Sequence, residues 1–317
     1  MSPTPPKFPP KFPPALSLVT MTGFPDYALL DSGHGRKLER FGTYTFDRPE
    51  PQAMWKQQLV PGAWLRADAT FKAGASKDGP NDTDDDDSES GRWRIPKPLP
   101  AAWPVDVMGV TLQCRLMSFR HLGLFPEQAP HWAWMLDHLK TVRGEQPRVL
   151  NLFAYTGAAS LIAARAGADV THVDASKKAI GWAKENQGAS KLGERPLRWI
   201  LEDARKYVAR EVRRGKTYHV ILVDPPKFGR GPEGEVWDFF THMPALLRDC
   251  EKLLAPKYAA LIVTSYAIRA SALAIDGLVR ECLDGRPGAI ETGELALVET
   301  GAQRLLPTSL FTRWSAL

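Results

Sequence analysis

Residues 117–317 alternate short apolar runs with stretches of helical period, which is typical of a parallel sheet covered by helices on both faces. The predicted strands are 148–153, 169–173, 197–201, 218–223 and 259–264, and the predicted helices are 157–166, 175–192, 204–214, 239–254 and 272–283. Residues 289–299 and 309–314 are predicted to pair as a closing antiparallel hairpin. We therefore predict an α/β fold with five parallel strands and a reversed edge.

The pattern before residue 117 is different. Residues 21–116 alternate short apolar or aromatic runs with glycine and proline, which predicts a small β-rich domain. Residues 1–20 are rich in proline and are expected to form an extended, disordered tail. The acidic run 82–89 repels itself and is interpreted as a solvated loop, because the glycine-turn spacing of a metal site is missing. The predicted catalytic domain is 117–317.

The composition is that of a globular protein. The chain has 317 residues, 44% of them hydrophobic and 24% charged, which is enough to bury a substantial core. No signal peptide or membrane span is predicted, so we expect a cytoplasmic protein. Cys114, Cys250 and Cys282 lie far apart, and their spacing favours neither disulfides nor a metal site. The net charge of +5 is compatible with a nucleic-acid partner but does not require one.

The residues that follow each predicted strand are the candidates for ligand binding, because ligands of open α/β sheets bind beyond the carboxyl ends of the strands. After the first strand, the loop from Asn151 to Gly157 leads into a helix of small residues. Gly157 allows a ligand to approach the backbone closely. An ordinary strand-to-helix turn is the alternative for this loop.

Acidic residues follow the next two strands. Asp174 lies about twenty residues beyond the loop, a spacing at which a carboxylate accepts hydrogen bonds from ribose hydroxyls. Helix capping by Asp174 or by Ser176 is the alternative. Asp203 follows the third strand and is a candidate acceptor for an adenine amino group, with the Ala204 amide as a donor; capping of the next helix by Asp203 is equally compatible with the sequence.

The fourth strand ends in Asp224-Pro225-Pro226-Lys227-Phe228, the most specific motif in the chain. Two prolines fix an extended, rigid turn. The carboxylate of Asp224 adds a directed acceptor at the end of the strand. Four such strand ends in this order predict a nucleoside-containing cofactor more strongly than any one of them.

These segments resemble bacterial methyltransferases related to the ribosomal-RNA large-subunit cytosine-5 enzymes. The resemblance is carried by 149–157 (VLNLFAYTG), 173–176 (VDAS), 223–228 (VDPPKF) and, upstream, 121–128 (HLGLFPEQ). It implies a class I, Rossmann-like methyltransferase domain with a mostly parallel seven-stranded sheet, and S-adenosylmethionine (AdoMet, SAM) as the cofactor. It also implies that Phe125 and Gln128 contact AdoMet, with Gln128 near its amino-acid end.

One departure from that family changes the expected chemistry. Methylation of cytosine C5 requires a cysteine thiolate that adds to the ring, and in the resembling enzymes this cysteine follows the fifth strand. The corresponding residues here are Thr264-Ser265-Tyr266. A tyrosine phenol, with a pKa of about 10, does not replace a thiolate at neutral pH. We therefore expect direct, non-covalent transfer to a nitrogen or oxygen.

The Asp-Pro-Pro sequence also resembles the Asn/Asp-Pro-Pro-Tyr motif of amino-group methyltransferases, in which acceptors hold the target amine near the sulfonium. Lys227 takes the motif's aromatic position, so Phe228 and Tyr266 become the candidates for stacking on a flipped base, with core packing as the alternative. Basic residues crowd segment 205–216, as a solvated helix face or as phosphate contacts.

The sequence thus predicts an AdoMet-dependent RNA methyltransferase acting on ribosomal RNA, with no metal and no membrane partner. A protein or small-molecule methyltransferase remains the alternative, because the chain offers no familiar RNA-binding module. An NAD-dependent oxidoreductase or a non-catalytic RNA-binding module are alternatives of other classes, but the first loop lacks G-x-G-x-x-G. The predicted cofactor-binding residues are Phe125, Gln128, Asn151, Phe153, Tyr155, Thr156, Gly157, Asp174, Ala175, Ser176, Asp203, Ala204 and Asp224, and the predicted catalytic residues are Asp224, Pro225 and Lys227.

Overall fold

A computed structural model describes residues 15–74, 91–266 and 268–316. The acidic run 82–89 and most of the predicted tail lie outside the described residues. The described strands are β1 (Ser17–Met21), β2 (Tyr27–Gly33), β3 (Arg36–Phe41), β4 (Tyr44–Pro49), β5 (Ala69–Ala73), β6 (Gly91–Arg94), β7 (Trp103–Val107), β8 (Val110–Cys114), β9 (Arg148–Leu152), β10 (Asp169–Asp174), β11 (Leu197–Leu201), β12 (Val220–Val223), β13 (Phe228–Arg230), β14 (Val236–Asp238), β15 (Ala260–Tyr266), β16 (Gly288–Val298) and β17 (Leu305–Ala316). The helices are α1 (Pro61–Leu65), α2 (Ala129–Leu139), α3 (Ala158–Arg165), α4 (Lys177–Ala189), α5 (Ala204–Arg213), α6 (Phe239–Leu253) and α7 (Ala272–Cys282).

The largest sheet has eight strands in the order β1-β16-β17-β15-β12-β9-β10-β11. Strands β9, β10, β11, β12 and β15 are parallel, and β17 runs antiparallel to both β15 and β16. The five parallel strands and the closing hairpin are therefore confirmed. The reversed strand is not the edge, however, because β17 is inserted between β15 and β16.

The expected seven strands become eight because residues we assigned to the tail form β1. Residues 17–20, predicted as the end of the disordered tail, pair in parallel with β16. Gly293 on β16 makes this docking possible, since a Cβ at this position would lie 1.8 Å from the carbonyl oxygen of Ser17. The apolar alternation of Ser17–Met21 is too short to separate from its proline-rich surroundings in the sequence.

Helices cover both faces of the large sheet. Alternate residues of β9 point to opposite sides, with Val149 in the core beneath α2 and α3, and with Leu150 and Leu152 in the core beneath α5, α6 and α7. The sheet is therefore buried on both faces, as a parallel sheet requires. No helix in the described part of the chain is long and apolar enough to cross a membrane.

The β-rich character of the N-terminal region is confirmed. Strands β2 to β6 form a five-stranded sheet in sequence order, and β7 and β8 form a hairpin. This region shares one hydrophobic core with the large sheet, since Phe46 and Trp103 belong to the same cluster as Leu161. The hairpin is also fixed by polar contacts, because the amide of Gln113 donates to Asn186 Oδ1 at 2.8 Å.

A cluster of buried charges joins the β-rich region to the catalytic half. Arg48 donates to Glu39 Oε2 from two nitrogens, at 2.8 and 2.6 Å, and to the carbonyl of Arg120 at 3.0 Å. Lys37 Nζ lies 3.2 Å from Glu50 Oε2. Burial alone would raise the pKa of Glu39, but Arg48 and Lys37 hold it below its ordinary value. The carboxylate is therefore ionised and fully paired inside the protein.

Loss of one partner from this cluster should destabilise the fold severely. We expect Arg48→Gln to lower the free energy of unfolding by about 3–5 kcal/mol, because the buried Glu39 charge would lose its main partner. Arg248→Gln is the matched control: Arg248 pairs with Glu281, and the two side chains are 54% and 66% exposed. Its effect should stay within about 1 kcal/mol. Urea denaturation would measure both, and equal losses would contradict this account of the cluster.

Candidate active site

The loop after β9 has an unusual backbone. Phe153, Tyr155 and Gly157 have φ angles of 55°, 49° and 89°, all in the left-handed region. For the two aromatic residues this conformation is strained, and such strain persists only where surrounding contacts enforce it. Gly157 is the N-cap of α3 and has no side chain to bind the first amides of the helix. These amides are left for a ligand or for solvent.

Asp174 at the end of β10 provides one of the enforcing contacts. Its Oδ2 accepts from the Tyr155 amide at 2.7 Å, and its Oδ1 accepts from the Ser176 amide at 2.8 Å. Ser176 caps α4, because its Oγ accepts from the Ala179 amide. Ala175 lies between the two. Burial raises the pKa of Asp174 against the effect of these two hydrogen bonds. Ser176 therefore caps α4. Asp174 is held at the end of β10, and lone pairs of its carboxylate remain for a ligand.

Asp203 at the end of β11 is the N-cap of α5. Its Oδ1 accepts from the amides of Arg205 and Lys206 at 2.9 and 3.1 Å, and its side chain is almost fully buried. Ala204 is buried as the first residue of the helix. The capping alternative is therefore realised. A contact between Asp203 and adenine stays a prediction. Oδ2 would make this contact, because it has fewer hydrogen-bond partners than Oδ1.

Asp224 after β12 connects two other parts of the edge. Thr264 Oγ1 on β15 donates to Asp224 Oδ1, and Gln128 Nε2 donates to Asp224 Oδ2 at 3.3 Å. Burial raises the pKa of Asp224. Pro225 is buried and Lys227 is exposed. Two predicted residues, Gln128 and Asp224, therefore meet, and Thr264 is a site residue that our sequence analysis did not assign.

Trp237, on β14, fixes the Asp-Pro-Pro turn. Its Nε1 donates to the carbonyl of Pro226 at 2.7 Å, and its ring lies 4.8 Å from that of Phe153. This role was also missed, because Trp237 comes from β14 and carries no local motif. Phe228 is 58% exposed, so core packing is excluded for it.

The upstream segment packs over the loop, as the resemblance implies. A 3₁₀ turn (Pro126–Gln128) follows Phe125, whose ring centroid lies 5.5 Å from that of Tyr155. Thr156 Oγ1 donates to the carbonyl of Gly123 at 2.5 Å. These contacts place Phe125, Gln128, Tyr155 and Thr156 together at one edge of the sheet.

Asn151 lies behind this edge. Its Nδ2 donates to Ser160 Oγ at 3.0 Å, and Ser160 Oγ lies 3.0 Å from His172 Nδ1. Burial lowers the pKa of His172 to about 3, so the imidazole is neutral. Asn151 therefore ties β9 to α3, and the structure does not bring its side chain together with the carboxylates.

Most basic side chains of segment 205–216 are already paired with acids. Arg210 donates to both oxygens of Glu202 at 2.6 Å, and Lys206 binds Glu233 at 2.9 Å. Arg214 pairs with Glu211. These contacts favour a solvated, ion-paired helix face over a phosphate-binding surface.

A family model and a group of curated relatives match part of this chain. A family model described as Conserved hypothetical protein 95 matches residues 134–233. The ribosomal RNA large subunit methyltransferase K/L of Hahella chejuensis is 32% identical over 164 residues, 51% of this chain and 22% of that protein. The chain thus spans about a fifth of the length of the curated relatives it matches.

Solved structures match over nearly the whole chain. A SAM-dependent methyltransferase from Agrobacterium tumefaciens is 47% identical with a TM-score of 0.89, covering 96% of this chain and 94% of that one. A protein from Streptococcus mutans, described as a SAM-dependent methyltransferase, shares the fold at 15% identity, with a TM-score of 0.67 and coverage of 91% and 75%. The chain belongs to the SAM-dependent methyltransferases. The class I fold that we predict is thereby confirmed.

We expect Asp174→Ala to weaken AdoMet binding by roughly 1–3 kcal/mol, since polar groups of the ligand and the Tyr155 and Ser176 amides would lose their acceptor. Isothermal titration calorimetry would measure the change. Asp137→Ala serves as the control, because the Asp137 side chain is 76% exposed on α2. An unchanged AdoMet affinity in Asp174→Ala would remove this residue from the site.

Proposed function

We propose that this protein methylates RNA, with ribosomal RNA as the substrate class, and transfers the methyl group of AdoMet directly to a nitrogen or oxygen. The similarity to ribosomal RNA large subunit methyltransferases K/L supports the choice of substrate. The observation that carries the mechanism is the carboxylate of Asp224, held between Thr264 and Gln128 with no thiol beside it. A substrate in ribosomal RNA would place the protein in the cytoplasm.

The residues at the sheet edge fit AdoMet. Its bound sulfonium supplies an activated methyl group, so the protein contributes mainly alignment and electrostatics. Asp174 would accept from the ribose hydroxyls, Asp203 from the adenine amine, and Gln128 would lie near the amino-acid end. The remaining predicted contacts come from Phe125, Asn151, Phe153, Tyr155, Thr156, Gly157, Ala175, Ser176 and Ala204. Carboxylate acceptors, backbone amide donors and aromatic rings together match a nucleoside with a polar tail.

Asp224 and Pro225 would hold the acceptor atom of the substrate. A carboxylate orients an N–H or O–H group by accepting its hydrogen, which leaves the lone pair of that atom directed toward the methyl donor. Thr264 and Gln128 fix the rotamer of Asp224 through both oxygens. Lys227 is exposed on the same turn, where its charge suits the RNA backbone.

The cysteines support direct transfer, because burial disfavours the reactive thiolate form of each. Cys114 and Cys250 are buried, and Cys282 lies at the end of α7. Burial raises the pKa of the Cys114 thiol to about 12 and raises those of Cys250 and Cys282 as well. A thiolate at neutral pH is therefore strongly disfavoured at all three positions.

A variant with Cys114, Cys250 and Cys282 all replaced by alanine should retain methyl transfer to ribosomal RNA once folding is confirmed by circular dichroism. No covalent adduct with 5-fluorocytidine RNA should form with the variant or with the unmodified protein. Denaturing electrophoresis after incubation with the analogue would detect an adduct. An adduct that disappears with one cysteine would restore cytosine C5 as the target and overturn direct transfer.

We expect the Asp224 carboxylate to be needed for methyl transfer and to lower the stability of the fold. Its pKa is raised in the folded state, so the ionised carboxylate opposes folding at pH values above that pKa. We expect Asp224→Asn to melt no lower than the unmodified protein at pH 7, and any advantage to vanish below pH ~4, where both states bind the proton. Transfer should fall about tenfold or more, the effect of one charge-assisted hydrogen bond.

Differential scanning calorimetry and a tritiated-methyl assay would provide the two measurements for Asp224→Asn. Asp137→Asn, an exposed substitution of the same kind, should alter neither. Transfer at the normal rate by Asp224→Asn would show that Asp224 does not hold the acceptor.

A further inference from the structure

A cavity lies where the β-rich region meets the C-terminal end of β15. It has a volume of ≈ 320 Å³. Its lining comes from residues after β4, from the C-terminal end of β15, from β16 and β17, and from the segment before α7: Glu50, Pro51, Gln52, Ser265, Tyr266, Ile268, Ala270, Glu294, Thr308 and Leu310. Tyr266 lies two residues after Thr264, the residue that holds Asp224, so these two side chains point to the same face of β15. The cavity therefore adjoins the end of the strand that holds Asp224.

The sheet register brings the polar lining together. Ser265 on β15 pairs with Leu310 on β17, and Leu310 pairs with Glu294 on β16. Residues paired across strands point to the same face of a sheet, so these three side chains form one row on the cavity side.

Ser265 marks a polar point in the cavity wall. Ser265 is 2% exposed, and its Oγ has no hydrogen-bond partner among the described residues. Native proteins seldom leave a buried hydroxyl unsatisfied, and the exceptions occur where function requires them. A hydroxyl both donates and accepts, so a ligand with polar atoms at its edge would satisfy it.

The charges of the cavity define the ligand further. Glu50 and Glu294 present carboxylates, which repel phosphate and carbonyl oxygens and accept from N–H groups. One oxygen of Glu50 lies 3.2 Å from Lys37 Nζ. Tyr266 is oriented by Arg120, whose Nη2 donates to the phenol oxygen at 2.8 Å. Tyr266, Pro51, Ile268 and Leu310 add flat or apolar surfaces on which a ring can pack.

We propose that this cavity binds the methyl-acceptor base of the RNA, flipped out of its stack, and that it selects a base with an exocyclic amine over uracil. This inference rests on the proposed function of the site. The volume is at the low end of the range of about 300–1,000 Å³ for small-molecule sites, which suits a single base. The amine of the base donates to the carboxylates of Glu50 and Glu294. The Ser265 hydroxyl forms a hydrogen bond with the neighbouring polar atom of the base.

Nucleoside binding tests the selectivity without methyl transfer. Protein saturated with S-adenosylhomocysteine, which fills the cofactor site, is titrated with matched nucleosides and followed by NMR. Cytidine is compared with uridine, and guanosine and adenosine are compared with inosine, which lacks an amine. At least one amine-bearing nucleoside should bind about tenfold tighter than its partner. Equal affinities in every pair, or tighter binding of arginine amide than of any nucleoside, would overturn the proposal.

Two variants locate the binding in this cavity. We expect Ser265→Ala and Glu294→Gln each to raise the KM for RNA about tenfold, with the Kd for AdoMet unchanged. Ser265→Ala should not melt below the unmodified protein, because it removes an unsatisfied buried hydroxyl, so a purely structural role would not produce the KM effect. Exposed Ser118→Ala and Glu194→Gln are the matched controls.

The outcomes separate the two proposals. RNA methylation by both variants with the unmodified KM would overturn the cavity assignment and leave the proposed function intact. Absence of any RNA methylation by the unmodified protein would overturn the proposed function, whereas loss of cytidine, guanosine or adenosine binding in Ser265→Ala would still support a base-binding cavity.

Discussion

The parallel strands of this protein all end on the same side of the sheet, and this constraint governs the other features of the structure. The backbone amides that follow the carboxyl ends of the strands have no neighbouring strand as a hydrogen-bond partner. Short polar side chains meet this need. Asp174 accepts from two amides, Asp203 accepts from the first turn of α5, and Ser176 accepts from the first turn of α4. The carboxylates that complete the fold are therefore also those placed to meet a ligand. In the proposed site, folding and cofactor recognition would draw on the same few atoms, because ligands of open α/β sheets bind beyond the carboxyl ends of the strands.

This shared use creates tension between stability and function. Burial raises the pKa values of Asp174 and Asp224, so the ionised forms oppose folding at neutral pH. Positive φ angles at Phe153 and Tyr155 add backbone strain to the same loop. The two hydrophobic cores beneath the helices supply the compensating stability. Activity in such a site is expected to oppose stability, as in many enzymes.

Much of the sheet was predictable because local sequence encodes it. Buried parallel strands appear as continuous apolar runs, and a polar residue marks each end, so β9 to β12 and the acids after them were located correctly. Contacts between distant segments have no such signal. Gln128 and Asp224 are 96 residues apart, and Asp224 and Thr264 are 40 apart. Trp237 was missed for the same reason. Asp203 stayed ambiguous because capping and ligand binding use one carboxylate.

The segment matched by the family model and the β-rich region contribute different residues to the proposed sites. The family model matches residues 134–233, which include Asp174, Asp203 and Asp224 but neither Glu50 nor Ser265. The family model therefore covers the segment that we propose binds the cofactor. The whole-length match extends over the β-rich region as well. Because Arg48, which is paired with Glu39, donates to the carbonyl of Arg120 in the segment preceding the 3₁₀ turn, the residues of that region have defined positions beside the site, which is what a specificity-determining wall requires.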